Sequence, residues 1–272
     1  MKWFIEDIWE GETQSFINAI KDICPNDEVS IVDISSHEYQ EFFDKNSEIF
    51  SILFGSIQMC TYMQKYRIKH RIYPGPIYSS KEDYSCLSYY KAYGEHLLNS
   101  DYIVIPYYDL QRKADDIFHY CGIDSAIFIR PNNPNKIWTG EVVYKENFQN
   151  WVDRQIGFGK FNDSELAFIS KPINIIEEYR CVIGKEGYIT GSLYRRGITH
   201  LTSAEVPDLV IKKCNEMSHL YSPDAIFVMD IALVDGGEPS LLPYIIEIGP
   251  ISCAGLYDCD KRKVVKYIKE NF

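Results

Sequence analysis

The apolar residues of this chain recur at two spacings, and the switch between them marks its elements. Residues 3–5 form a short apolar strand, and Phe16, Ile17, Ile20 and Ile23 recur at helical spacing over residues 13–24. Residues 29–34 alternate and turn at Ser35-Ser36, predicting a second strand. Residues 51–54 are a compact apolar strand running into Gly55-Ser56, and 57–66 read as a helix. That strand–Gly-Ser–helix junction offers backbone N–H groups to an anion. Tyr73-Pro-Gly-Pro76 is a hard break, followed by an aromatic, helix-like stretch over 84–98. Residues 101–107 are apolar enough for a strand buried on both faces. A helix over 112–120 ends at Gly122, which serves as its C-cap. This alternation predicts a small parallel or mixed α/β domain over roughly the first 110 residues.

Beyond it the pattern becomes mostly antiparallel. Strands are predicted over 126–129 and 141–144, a helix over 147–156, and a short apolar pair at Phe168-Ile169. Residues 175–183 turn at Lys185-Glu-Gly187 into 188–194, a hairpin carrying Arg180 on one arm and Tyr194, Arg195 and Arg196 at the end of the other. A helix over 206–221, capped by Ser203 and broken at Pro223, leads into FVMDIALV and LLPYIIEI, two apolar runs around Asp235-Gly236-Gly237. Residues 261–269 form a terminal helix.

Each run of that last hairpin carries one acid, Asp230 and Glu247. Their midpoint falls between Glu238 and Pro239, so a symmetric loop sets them opposite one another on one face. Opposed positions have Cβ atoms about 4.5–5.5 Å apart, and like charges there destabilise the pair. Two carboxylates this close in apolar strands need a cation or a shared proton. Mg²⁺ fits, because it takes one or two carboxylates and fills its shell with phosphate and water. The competing reading is a surface hairpin whose acids point into water, with Pro243 and Glu238 on an exposed edge.

Composition narrows the partners. The 272 residues are 46% hydrophobic and 25% charged, an ordinary globular balance. A net charge of −11 argues against nonspecific binding to nucleic acid or to an anionic membrane. Eight cysteines are scattered without zinc spacing, as reduced thiols in the cytosol are. The opening MKWFIEDIWEGE is acidic straight after its short apolar stretch, unlike a signal peptide, and no run has the length of a membrane span. The expectation is a cytoplasmic protein.

Arg130, Lys136, Lys171, Arg180 and Arg195 fall at strand ends and in loops, where they would suit nucleotide phosphates. Any one of them is more often a solvated charge, but Arg130 and Arg180 adjoin buried-looking strands. Thr139-Gly140 would let a loop approach a phosphate, or is a plain turn. Gly157-Phe-Gly-Lys160 lacks the leading Gly and trailing Ser/Thr of a P-loop, and Gly191-Ser192 lacks the second Gly of a nucleophile elbow. Cys253 and Cys259 have no adjacent His, only the Lys261-Arg-Lys263 run, so neither reads as a nucleophile.

FIRPNNPNKIWTGEVV, ISKPINIIEEYRCVI, GSLYRR, FVMDIAL and IIEIGPISCAGLYDCD, in that order, resemble the ATP-grasp fold, and within it the R2K clade of ligase-like proteins. PGPIY and the stretch from Tyr84 to Pro106 are similar to the clade's preceding domain. The resemblance implies an α/β, Rossmann-like pre-ATP-grasp domain over residues 1–115 and an α+β ATP-grasp domain with antiparallel sheets over 116–272. It places ATP between two sheets, with Arg130 on the phosphates, Lys136 to Gly140 (Thr139 included) as the mobile loop, and Ser170, Lys171 and Ile173 as the adenine hinge. Glu178 joins the ATP ligands by the same resemblance. Arg180 would face the transferred phosphoryl group, and Asp230 and Glu247 would hold Mg²⁺. Tyr194, Arg195, Gly255 and Tyr257 would meet the acceptor substrate. Lys171 stands where many relatives have an acid, and Gly249 stands where many have an Asn metal ligand.

The implied reaction is ATP-dependent carboxylate–amine ligation through an acyl phosphate, acting on small-molecule or peptide substrates. It needs positioning and electrostatics rather than an enzyme nucleophile. Two alternatives share the fold: a phosphotransferase, and a nucleotide-binding module without turnover.

Overall fold

The computed structural model describes residues 1–9, 11–34, 41, 51–60, 84–123, 125–134, 138–157, 165–237 and 240–272. The helix expected beyond residue 60, the break at Tyr73–Pro76, Lys136 and the segment after Gly157 lie outside them. The chain forms two compact units. One joins residues 1–79 to 175–272, and the other is residues 80–174. This division differs from the one drawn at residue 115.

In the first unit, β1 (Lys2–Glu6), α1 (Glu12–Ile23), β2 (Glu28–Val32) and β3 (Ser51–Phe54) build a parallel sheet in the order β2-β1-β3. The α1 stripe Phe16, Ile17 and Ile20 packs with Trp3, Ile5 and Phe54. The same core takes in Val182, Val228, Ile251, Leu256, Val264 and Ile268 from the C-terminal residues. That shared core explains why the unit is discontinuous in sequence, since an apolar sheet face this small needs a partner layer to cover it. The anion expected at Gly55-Ser56 is internal. The Ser56 N–H donates to Glu6 Oε2 (2.7 Å), and the Gly55 N–H donates to the Ser252 carbonyl (2.8 Å). A Cβ at Gly55 would lie 2.7 Å from the Glu6 Cβ, so only glycine lets the carboxylate approach.

Later in that unit, β8 (Glu177–Gly184), β9 (Gly187–Arg196), β10 (Thr199–Ser203), β11 (Ile226–Asp235) and β12 (Leu241–Pro250) make an antiparallel sheet in the order β10-β9-β8-β11-β12. A helix at Asp208–Leu220 follows β10. Its N-cap is Pro207, not Ser203, whose Oγ accepts instead from the Glu205 N–H (3.1 Å). The C-terminal helix, Lys261–Asn271, is capped by Asp260, whose side chain accepts from the Arg262 and Lys263 N–H groups.

The second unit is an antiparallel sheet in the order β4-β7-β5-β6, formed by β4 (Tyr102–Pro106), β7 (Leu166–Ser170), β5 (Ala126–Pro131) and β6 (Glu141–Tyr144). Helices at Ala114–Tyr120 and Phe148–Gly157 bury Ile117, Phe118, Trp151 and Val152 against Ile127, Ile129, Val143 and Ile169. β4, expected to be buried on both faces in the N-terminal sheet, is an edge strand among the described residues, where it pairs only with β7, and it leaves Val104 exposed. Its apolar run packs one face on this core, and its other face carries Tyr102 against Tyr90 and Phe168. Among the described residues no helix is long and apolar enough to cross a membrane.

Candidate functional site

β11 and β12 do set Asp230 opposite Glu247, though not through a symmetric loop. From Asp235↔Leu241 to Ile231↔Ile245 the register is one residue short of that symmetry, and a bulge then admits Ile246 as an extra residue. Carried on unbroken, the loop-end register would put Asp230 opposite Ile246 and turn Glu247 to the other face. On its other side Asp230 pairs directly with Arg180 of β8. Arg180, Asp230 and Glu247 therefore form one row across three strands.

The row has its own cation. Arg180 Nε donates to Asp230 Oδ1 (2.9 Å) and Nη2 to Oδ2 (2.7 Å), while Nη1 donates to the Gly255 carbonyl (3.0 Å). Asp230 is 3% exposed, which rules out the water-facing hairpin for this acid; Glu247, on the edge strand, is half-buried. Burial pulls against the charged guanidinium, but the Asp230 charge and hydrogen bonds outweigh it and hold the Arg180 pKa above its ordinary range. A bidentate pair in a dry sheet is geometrically specific, and removing either partner strands a buried charge.

A second bulge, on β9, falls at Tyr194, between Glu178↔Arg195 and Tyr179↔Leu193. It turns the Tyr194 ring onto the row. Arg180 Cζ lies 5.7 Å from that ring and 5.3 Å from Tyr257, and the two rings stack at 5.1 Å. Glu178 anchors this side by accepting from the Tyr194 hydroxyl (2.5 Å) and Arg195 Nη1 (2.9 Å). Burial, then the Asp230 charge, raises the Tyr194 pKa, so the phenol stays a neutral donor. Glu178, Arg180, Tyr194, Arg195, Asp230, Glu247, Gly255 and Tyr257 all belong to this one unit.

The other expected residues belong to the second unit. Arg130 sits on β5 opposite Phe168. A Cβ at Gly140 would lie 2.8 Å from the Phe128 ring and 3.2 Å from the Arg130 Cβ, so the approach of this loop to Arg130 requires glycine. Thr139 is exposed beside it. Ser170 ends β7, buried, with its Oγ accepting from Asn99 Nδ2 (2.8 Å); the Lys171 carbonyl accepts from the same nitrogen (3.4 Å). Lys171 Nζ lies 3.8 Å from Asp101 at the surface, and Ile173 is exposed.

The residues present fit Mg²⁺ only together with a ligand that brings its own oxygens. Among the described residues no group of three or more His, Cys, Asp or Glu could hold a metal. Two opposed carboxylates meet the share that protein supplies to phosphate-bound Mg²⁺. Gly249 has room for a side chain, since a Cβ there would meet Val228 Cγ2 at an ordinary 3.5 Å.

The ATP-grasp domain, R2K clade family 2, matches residues 113–267, more than half of the chain. The chain belongs to the ATP-grasp superfamily, R2K clade. Solved structures with the ATP-grasp fold match it end to end. The D-cycloserine synthetase DcsG aligns with a TM-score of 0.64 at 12% identity, covering 99% of each chain. The D-alanine–D-alanine ligase from Bacillus anthracis complexed with ATP aligns at 0.59 and 17%, covering 99% of this chain and 96% of its own. A RimK-domain ATP-grasp protein from Sphaerobacter thermophilus aligns at 0.57 and 8%, covering 99% and 98%. No curated protein matches the sequence.

Three residues beside the expected ones, two in the first unit and one in the second, escaped sequence reasoning. Glu12 and Trp9 approach Gly255 from the start of the chain, and Asn99 holds the end of β7. A first-turn acid and a lone Asn carry no local signal of such roles.

Proposed function

We propose that this R2K-clade protein is an ATP-dependent carboxylate–amine ligase that works through an acyl phosphate. The observation that carries the reading is the row Arg180–Asp230–Glu247, with Asp230 buried at its centre, on adjacent strands of an ATP-grasp fold. It puts a guanidinium and two carboxylates on one face, the groups that Mg·ATP and a phosphoryl-transfer transition state require. Arg130, Gly140, Ser170, Lys171 and Ile173 are proposed for the nucleotide, and Tyr194, Arg195, Gly255 and Tyr257 for the acceptor. Asp230 and Glu247 would hold Mg²⁺, which on binding would neutralise phosphate charge.

In this reading a substrate carboxylate oxygen attacks the γ-phosphorus and the bond to the β-phosphate oxygen breaks, leaving ADP and an acyl phosphate. Arg180 would neutralise charge on the transferred group, held by Asp230 so that it needs no reorientation. An amine then attacks the acyl carbon, phosphate leaves, and the nitrogen loses a proton, giving an amide. The chain's residues orient and neutralise; none is asked to form a covalent bond.

The experiment is incubation with ATP, Mg²⁺ and pooled amino acids and amines, with ADP measured. ADP release that requires both a carboxylate and an amine supports ligation. ADP accompanied by a phosphorylated alcohol would make the protein a phosphotransferase. Tight ATP binding without ADP in any pool would leave a nucleotide-binding module, the reading favoured by Gly249 at the expected Asn position.

A further inference from the structure

Residues 254–260 leave β12 and run along β8 and β9. The Asp258 N–H donates to Ser192 Oγ (3.2 Å) and the Asp260 N–H to Thr190 Oγ1 (2.9 Å). Between these stitches and β12 lie the two groups that touch Arg180 from above the sheet, the Gly255 carbonyl and the Tyr257 ring. Tyr257 has φ 49°, left-handed backbone that a non-glycine residue with a bulky side chain holds only when its surroundings over-determine it.

What over-determines it comes from the opposite end of the chain. Glu12, the first residue of α1, accepts the Leu256 N–H on Oε1 and the Tyr257 N–H on Oε2 (3.2 Å). Lys261 Nζ donates to the Tyr257 carbonyl. Trp9 Nε1 and Glu12 Oε2 close over Gly255, 3.4 and 3.7 Å from where a Cβ would stand. An acid in a first helical turn is ordinarily a dipole partner with its oxygens in water. Here both oxygens are committed to successive backbone N–H groups of a distant loop.

We propose that Glu12 is a positioning residue for the Arg180–Asp230 pair. By fixing the backbone at Leu256 and Tyr257, it sets the Gly255 carbonyl and the Tyr257 ring, and these hold the guanidinium in the plane that Asp230 accepts. The inference rests on the reading of Arg180 and Asp230 as parts of the site. Its test needs neither ATP nor turnover.

The measurement is the Nε–H resonance of Arg180 and its exchange with solvent, assigned by its loss in Arg180→Lys. Glu12→Gln keeps the size of the side chain but turns an NH₂ donor against a backbone N–H. Glu12→Asp keeps two acceptors on a shorter stem. Exchange of the Arg180 proton is expected to accelerate about tenfold in Glu12→Gln, the factor that one charge-assisted hydrogen bond carries. It should be restored most of the way in Glu12→Asp, with far-UV spectra unchanged in both. An Arg180 proton that exchanges at the wild-type rate in folded Glu12→Gln overturns the proposal. If Glu12→Gln does not fold, Tyr257→Leu, which leaves the Glu12 bonds in place and removes the ring, must still accelerate exchange. Wild-type exchange there overturns the proposal equally. A wild-type protein that releases no ADP would sink the ligase reading and leave this result standing.

Discussion

Arg180 and Asp230 face one another across β8 and β11 and share two hydrogen bonds of 2.9 and 2.7 Å, so the charge that Asp230 needs in a dry sheet comes from the next strand. Removing the guanidinium leaves a buried carboxylate without that partner. Arg180→Met is expected to cost about 3–5 kcal/mol in urea unfolding, and Arg180→Met with Asp230→Leu to recover most of it. A double variant no more stable than the single would show that the pair is not the dominant electrostatic partnership of this row.

Glu247 separates metal binding from fold better than Asp230 does. It is half-buried on an edge strand, so Glu247→Gln should leave the thermal midpoint within a few degrees. It should weaken Mg·ATP binding at least about tenfold, roughly 1.4 kcal/mol, in calorimetric titration. Equal affinity in wild type and variant would remove Glu247 from the metal site.

The opposition of these acids could be read from their equal distance to the loop, yet its cause could not. The bulge at Ile246 restores a register that the loop itself sets one residue off, and nothing in Tyr-Ile-Ile-Glu announces an extra residue. Strand and helix positions were legible where one apolar period ran unbroken, as at Ser51–Phe54 and Glu141–Tyr144. Partnerships made across long stretches of chain were not. Arg180 meets Asp230 fifty residues on, and Glu12 meets Leu256 after 244. β4 misled for a related reason: a five-residue apolar run reads the same in a central strand and in an edge strand that packs one face on a core and carries an aromatic cluster beside an exposed Val104 on the other.

Gly249 is not imposed by packing. With Val228 Cγ2 3.5 Å from a Cβ there, Gly249→Asn should fold normally and tighten Mg²⁺-dependent ATP binding by supplying a further oxygen ligand. An unchanged Mg²⁺ titration would mean that position 249 does not reach the metal.

The thiols should be quiet. Cys259 is buried, and burial pushes its pKa up to about 12 despite the lowering influence of Lys261 and Arg180. At pH 8 its thiolate fraction is then on the order of 10⁻⁴. Iodoacetamide at that pH should label Cys253, the one cysteine that is not buried, and leave Cys259 unmodified by mass spectrometry. Rapid labelling of Cys259 would restore it as a candidate nucleophile.

The central claim is a phosphorylated substrate carboxylate, and oxygen transfer tests it most directly. The protein is incubated with Mg·ATP, unlabelled amines and a pool of carboxylates bearing ¹⁸O, and the released phosphate is weighed by mass spectrometry. An acyl phosphate predicts one ¹⁸O in each phosphate formed with ADP. ADP accompanied by phosphate free of ¹⁸O would contradict the account.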